Sequence, residues 1–208
     1  KNLGEVYTKL LRNLELDNKF SDAEYLKLAE KSIAVENRDL NEPFLTIIES
    51  LANRGLFAEA EKFVELGNRE FEKRVVQDKK NGADLSQTEN SERAQLLNSS
   101  GAVFLRQEKY AEAEKFFLKS IETSKKYNFA YKLLGEIYEE TEKFDRAEDA
   151  YISQIASVPI DKANFDLLKN LYQKRNGDFE NFESYLENVK KIAKTKRREI
   201  IVSEKIRE

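Results

Sequence analysis

Carboxylates are the side chains best supplied for chemistry in this 208-residue chain, with 39 Asp and Glu against 36 Lys and Arg. The tightest grouping is Glu139, Glu140 and Glu142. Two such groups could serve as general acid and base where a pocket shifts their pKa values apart. In so acidic a chain, neighbouring pairs arise on any solvated helix face, and spacing singles out none of them. The rest of the catalytic repertoire is missing. There is no Cys, hence no thiolate nucleophile, no disulfide and no Cys-ligated metal. There is no His, the commonest general base and zinc ligand. No nucleophile motif or phosphate-binding glycine loop occurs. The reading is a non-enzyme, with no catalytic residue, no metal site and no cofactor.

A second grouping is cationic. Residues 189–208 hold 8 Lys and Arg against 3 Glu, a net charge of +5; the whole chain stands at −3, so the remainder carries −8. The run Lys190, Lys191, Lys194, Lys196, Arg197 and Arg198 suits an acidic partner, nucleic acid or an anionic membrane. No aromatic is interleaved to stack on bases, which counts against nucleic acid. The plainer reading is the polar outer face of a terminal helix, with cations complementing its dipole. Ile200, Ile201, Val202 and Ile206 then either dock back on the body or lead into a further domain.

These groups must be held by helices. Only 7 Gly and 2 Pro interrupt the chain and 36% of residues are charged, a composition that favours helices over sheets. A five-residue signature, aromatic-x-x-small-Glu, recurs at Phe20–Glu24, Phe57–Glu61, Tyr110–Glu114 and Phe144–Glu148, with a degenerate copy at Phe179–Glu183. The aromatics lie 37, 53, 34 and 35 residues apart. Recurrence at this period means a stack of similar units, each leaning on its neighbours. A polar break precedes each copy, and the pattern predicts ten helices in five antiparallel pairs, each signature opening a second helix. The signature Glu is assigned to the first turn, where the helix dipole favours an anion. The aromatics, with Val64, Phe117, Tyr151 and Leu186, read as an apolar stripe facing the core.

First helices echo one another as well. Leu134, Gly135 and Tyr138 repeat the spacing of Leu3, Gly4 and Tyr7, and Gly101 precedes Gly135 by 34 residues. Glycine inside a helix costs about 1 kcal/mol relative to alanine. Its recurrence predicts a close approach, with the signature Ala as the matching small surface. The 53-residue interval holds 19 extra residues. They are assigned to an elongated helix, about Ala58 to Asp78, and a loop from Lys79 to Gln87. Asn81-Gly82 marks a turn there, and Ser86 with Glu89 a capping box. This loop, near 79–90, is the expected boundary between two sub-arrays of a single repeat domain, 1–208.

The pattern resembles the tetratricopeptide repeat family, whose 34-residue unit carries Leu-Gly, Tyr, Ala, an aromatic and Pro at fixed offsets. Residues Asn128 to Asp161 match best, with Tyr131, Leu134, Gly135, Tyr138, Phe144, Ala147, Tyr151 and Pro159 in register. The preceding unit has Leu97, Gly101, Phe104, Tyr110, Ala113 and Phe117, with Lys125 in place of Pro. The other pairs diverge: Ile48 takes the Gly position in the second, and Phe182 the Ala position in the last. The resemblance implies an all-α fold, a right-handed α-α superhelix (solenoid) of about five antiparallel helix pairs. It implies a concave groove, lined by first helices, that holds an extended or helical peptide. The family's groove offsets fall on Asn98, Ala102, Leu105 and Arg106, on Lys132, Glu136, Glu139 and Glu140, and on Asp166, Asn170 and Lys174. Arg106 and Lys132 suit a carboxylate ligand. Glu136 stands where the family's chaperone-tail clamp has Asn, which argues against that version.

The expected function is a non-catalytic scaffold or adaptor for a protein or peptide. The alternative is a helical segment of a larger enzyme or sensor, positioning a catalytic domain. Weak homo-oligomerisation through the end helices is a third option. Neither a small-molecule cofactor nor nucleic acid is expected, and no run of about 18 apolar residues encodes a membrane span. The chain opens at Lys1 and has no Met, which reads as a fragment or processed form. Location stays open: cytoplasmic first, periplasmic or extracytoplasmic second.

Overall fold

A computed structural model describes residues 3–16, 20–34, 41–82, 87–126, 129–158 and 162–205. Ten α-helices, and no strand, occupy the described residues. The chain divides into two compact units, Lys1–Lys109 and Tyr110–Glu208.

The first unit holds α1 (Leu3–Leu16), α2 (Asp22–Ala34), α3 (Asn41–Asn53), α4 (Phe57–Lys80) and α5 (Gln87–Leu105). Its core is built by α3, through Phe44, Ile47, Ile48 and Leu51, against Ala60, Val64 and Phe71 of α4 and Leu96, Leu97 and Val103 of α5. The elongated helix is present, as α4. α4 and α5 pack on each other across the loop between them, tied by the Arg74–Glu89 and Arg93–Glu72 ion pairs. The Arg93 guanidinium also lies 4.8 Å from the centre of the Phe71 ring. The loop therefore joins two helices of one unit, and the division falls at Lys109. Ser86, and with it the expected capping box, lies outside the described residues.

The second unit holds α6 (Tyr110–Thr123), α7 (Ala130–Glu140), α8 (Phe144–Ser157), α9 (Lys162–Asn176) and α10 (Phe182–Lys205). α8 is its centre, packed by α7, α9 and α10, and every residue from Ala150 to Val158 is buried. A helical segment with no charged side chain on any face is covered on all sides. The 24-residue α10 supplies one wall, through Val189, Ala193 and Ile200. α9 and α10 also meet through Tyr172, whose ring centre is 5.3 Å from that of Phe182 and 4.9 Å from that of Tyr185.

The turns that follow first helices share one device. Two residues before Phe57, Tyr110, Phe144 and Phe179 stands a residue with positive φ: Gly55 (75°), Glu108 (58°), Glu142 (56°) and Gly177 (81°). At Gly55 its N–H reaches the carbonyl of Ala52 (3.2 Å) and the next N–H, of Leu56, that of Leu51 (2.9 Å). Glu108 and Lys109 repeat this on Leu105 and Phe104, and Glu142 and Lys143 on Glu139 and Tyr138. This double closure satisfies carbonyls that a helix end leaves open.

Packing corrects two expectations. A Cβ added at Gly135 would lie 2.8 Å from Cζ of Tyr151 and closer still to two other ring carbons. The glycine thus makes room for an aromatic ring on α8, not for the signature Ala147. The signature aromatics are also not core residues. Phe57, Tyr110 and Phe144 are the first residues of their helices and half-buried, while Phe20 and Phe179 are 39% and 42% exposed. The small residues Ala60, Ala113 and Ala147, and the Phe117 and Tyr151 that follow, are the ones fully enclosed.

Candidate protein-binding faces

The signature carboxylates hold the hairpins in register. Only Glu24 and the Glu183 of the degenerate copy sit in a first turn. Glu24 accepts hydrogen bonds from the Ser21 hydroxyl (2.7 Å) and N–H (2.9 Å), which hold its pKa low. Glu61, Glu114 and Glu148 are the fifth residues of their helices, one turn further in than the sequence reading puts them. Each meets a cation from the next hairpin. Glu61 accepts from Lys109 (2.6 Å) and Gln107 (2.8 Å), and these bonds depress its pKa. Glu114 accepts from Arg146 (2.8 Å) and the Tyr138 hydroxyl (2.7 Å). Burial, then the Glu114 carboxylate, pushes the Tyr138 pKa up to about 12. Glu148 accepts from Arg175 (3.1 Å) and from the Tyr185 hydroxyl, whose pKa burial and that carboxylate raise. The first hairpin does the same through Asp22, which accepts from Arg54 at 3.0 Å.

Held this way, the first helices present polar faces. In the first unit, α5 sets Asn98, Ala102 and Leu105 half-buried, with Arg106 exposed just beyond its end. The Arg106 guanidinium donates to Oδ1 of Asn53 (2.6 Å), and the Ser99 hydroxyl to Glu49 (2.8 Å). In the second unit, Lys132, Glu136 and Glu139 line α7 at helical spacing. Lys132 pairs with Glu136 at 2.7 Å. Glu139 accepts from the Tyr151 hydroxyl (3.0 Å) and from Lys174 of α9 (3.3 Å). Burial, then the charges of Glu139, Glu136 and Glu140, raises the Tyr151 pKa. Asn170 is exposed one turn before Lys174, as is Asp166 a turn earlier. The structure thus joins Glu139 to Lys174 and Lys132 to Glu136, while Arg106 belongs to the other unit.

The carboxylate grouping makes no acid–base pair. Glu139 is held by Tyr151 and Lys174, Glu142 forms the left-handed turn, and Glu140 is exposed. Among the described residues no cluster of three or more Asp, Glu, His or Cys is placed to hold a metal ion. An open cleft of about 440 Å³ lies between α6, α7 and α8, floored by Leu118, Tyr131 and Leu134 and rimmed by Asp145, Arg146 and Asp149. The sequence reading missed it, although Leu118, 42% exposed, is an apolar residue one place beyond the stripe. No helix among the described residues is long and apolar enough to cross a membrane.

The class these features define is an all-α protein of repeated helical hairpins. Residues 130–163 match the tetratricopeptide repeat family, two residues later than the best unit read from the sequence. The crystal structure of BtubC (BKLC) from P. vanneervenii has a similar fold, with a TM-score of 0.58 and 16% identity over 91% of this chain and 87% of that one. The MamA RS-1 ArsTM double mutant is similar at a TM-score of 0.54 and 18% identity, over 95% of this chain and 96% of that one. At these identities the likeness is one of fold. No curated protein sequence matches the chain. Tetratricopeptide-like repeats are generally protein-interaction modules, and in this chain the matching repeat, 130–163, lies within an all-α fold of helical hairpins.

Proposed function

We propose that this chain is a non-catalytic scaffold or adaptor that binds a protein or peptide partner on its first-helix faces. Asn98, Ala102, Leu105 and Arg106 serve in the first unit, and Lys132, Glu136, Glu139, Asn170 and Lys174 in the second. The supporting observation is that the segment matching an interaction repeat, 130–163, carries the α7 face. There Lys132, Glu136 and Glu139 are preset by ion pairs and hydrogen bonds yet stay partly exposed. Preset polar groups lose less freedom on binding, which favours recognition.

The test is charge reversal. Arg106→Glu with Lys132→Glu should reduce partner capture from native lysate, read by affinity purification and mass spectrometry, at least fivefold. The far-ultraviolet circular dichroism melt should stay in place, since exposed pairs contribute only about 0–1 kcal/mol. An unchanged set of captured proteins sinks the assignment.

A further inference from the structure

The basic C-terminal helix is only partly accounted for by packing. Lys196 is used internally: its ammonium donates to Asp149 (2.7 Å) and to the Ser153 hydroxyl (2.9 Å) of α8. Arg197 is used as well, donating through Nε to the Ala156 carbonyl (3.0 Å) and through Nη2 to that of Val158. It thereby caps the C-terminal end of α8, where a cation is favoured. These bonds fix the rotation of α10 about its axis and so decide what its other cations face.

They face a slot. Ile155 of α8, Phe165 of α9 and Ala193 of α10 enclose an apolar recess of about 250 Å³ whose rim is Lys190, Lys194 and Arg197. Every charged residue lining it is cationic. Among the described residues Lys194 makes no ion pair, and Lys190 pairs only with Glu187 on its own helix, with both side chains at least half exposed. Such a pair is weak and readily exchanged. The volume is below the roughly 300–1,000 Å³ of small-molecule sites and suits one bulky side chain. Interfacial helices that lie on membranes insert a continuous apolar face, whereas here the apolar surface is recessed behind cations.

We infer that the slot between α8, α9 and α10 is a second docking site, for an acidic peptide segment that inserts one bulky apolar side chain between Lys190, Lys194 and Arg197. Charge complementarity brings and orients the segment; the buried side chain supplies the affinity.

The probe is a fluorescein-labelled acidic heptapeptide with one central leucine, titrated with the full chain at low salt and followed by fluorescence anisotropy. Saturable binding is expected. Replacing the leucine by serine should weaken it about tenfold or more. Replacing the acids by glutamine should abolish it at millimolar protein. Lys190→Gln with Lys194→Gln should weaken it about tenfold, as expected for two charge contacts, while Arg106→Glu with Lys132→Glu leaves it unchanged. That last arm separates failure here from failure of the first-helix reading. No binding of the parent peptide, equal binding of the serine or glutamine peptide, or an unaffected double-Gln variant overturns the proposal. So does binding to phosphatidylserine vesicles without binding to the peptide. A dimer seen by light scattering that the double-Gln variant dissociates assigns the slot to a second copy of the chain instead, and also overturns it.

Discussion

The hairpins α3/α4 and α7/α8 bring their helices together around a glycine, but on opposite partners. In α7/α8, Gly135 of the first helix receives the Tyr151 ring of the second; in α3/α4, Gly67 of the second receives the Phe44 ring of the first, 3.0 Å from where a Cβ would stand. Ile48 and Val64, both buried, occupy in α3/α4 the places of Gly135 and Tyr151. The contact has also moved. Gly135 and Tyr151 are 16 positions apart, Phe44 and Gly67 are 23 apart, which sets the second contact about one helical turn further from the connection. What the hairpins share is a ring laid over a glycine, and either helix can supply either part.

The sharpest way to break this comparison is Gly135→Ala. The Tyr151 ring is enclosed and cannot yield, so overpacking of about 1–3 kcal/mol should outweigh the ~1 kcal/mol gain in helix propensity. A net loss of about 1 kcal/mol, at most about 2, is expected in urea denaturation. Gly67→Ala asks Phe44 to move only slightly and should change stability by less than about 0.5 kcal/mol, the two terms offsetting. Equal losses would show the contacts to be alike.

A smaller effect separates the turns. Gly55→Ala places a Cβ in a left-handed backbone and should cost about 1 kcal/mol. Glu142→Gly removes that same strain at the matching position and should raise stability by about 0.5 kcal/mol, the gain being reduced by glycine's freedom in the unfolded chain. Thermal melts of the two variants should shift in opposite directions.

At neutral pH the smallest difference lies in the clamps, and it opens at the extremes. The depressed pKa of Glu61 contributes stability that is present above the ordinary carboxylate value and lost as pH falls through its folded value. Tyr138 has a raised pKa, so its contribution is present below about 10 and is lost as pH rises toward about 12. Glu114→Gln should lower the Tyr138 pKa, read as tyrosinate absorbance at 295 nm. Glu61→Gln should flatten the acid limb alone.

The helix pattern was largely legible in the sequence, because the signature marks backbone events. Phe57, Tyr110 and Phe144 open α4, α6 and α8, and the polar breaks before them are the turns. Side-chain assignments fared less well. The recurrent Glu suggests a dipole effect because a single helix is all that local spacing describes. Its cations, Lys109, Arg146 and Arg175, come from the next hairpin, at separations that differ from copy to copy. One signal was overlooked. No charged residue occurs from Ala94 to Leu105 or from Ala150 to Ile160, although 36% of the chain is charged. These runs fall on α5, which packs on α3 and α4, and on α8, the centre of the second unit. The face residues follow from helix register, but their pairing, such as Glu139 with Lys174, needed the packing of α9 on α8 to be known.

The closed turns at Gly55, Glu108 and Glu142 explain how ten hairpin helices can coexist with a family match of only 34 residues. Each corner is sealed by peptide groups, which every amino acid carries. Substitution can erase the letters by which a repeat is recognised while leaving its corners intact. Kinship between units is then written in main-chain geometry, and in this chain it outlasts the spelling.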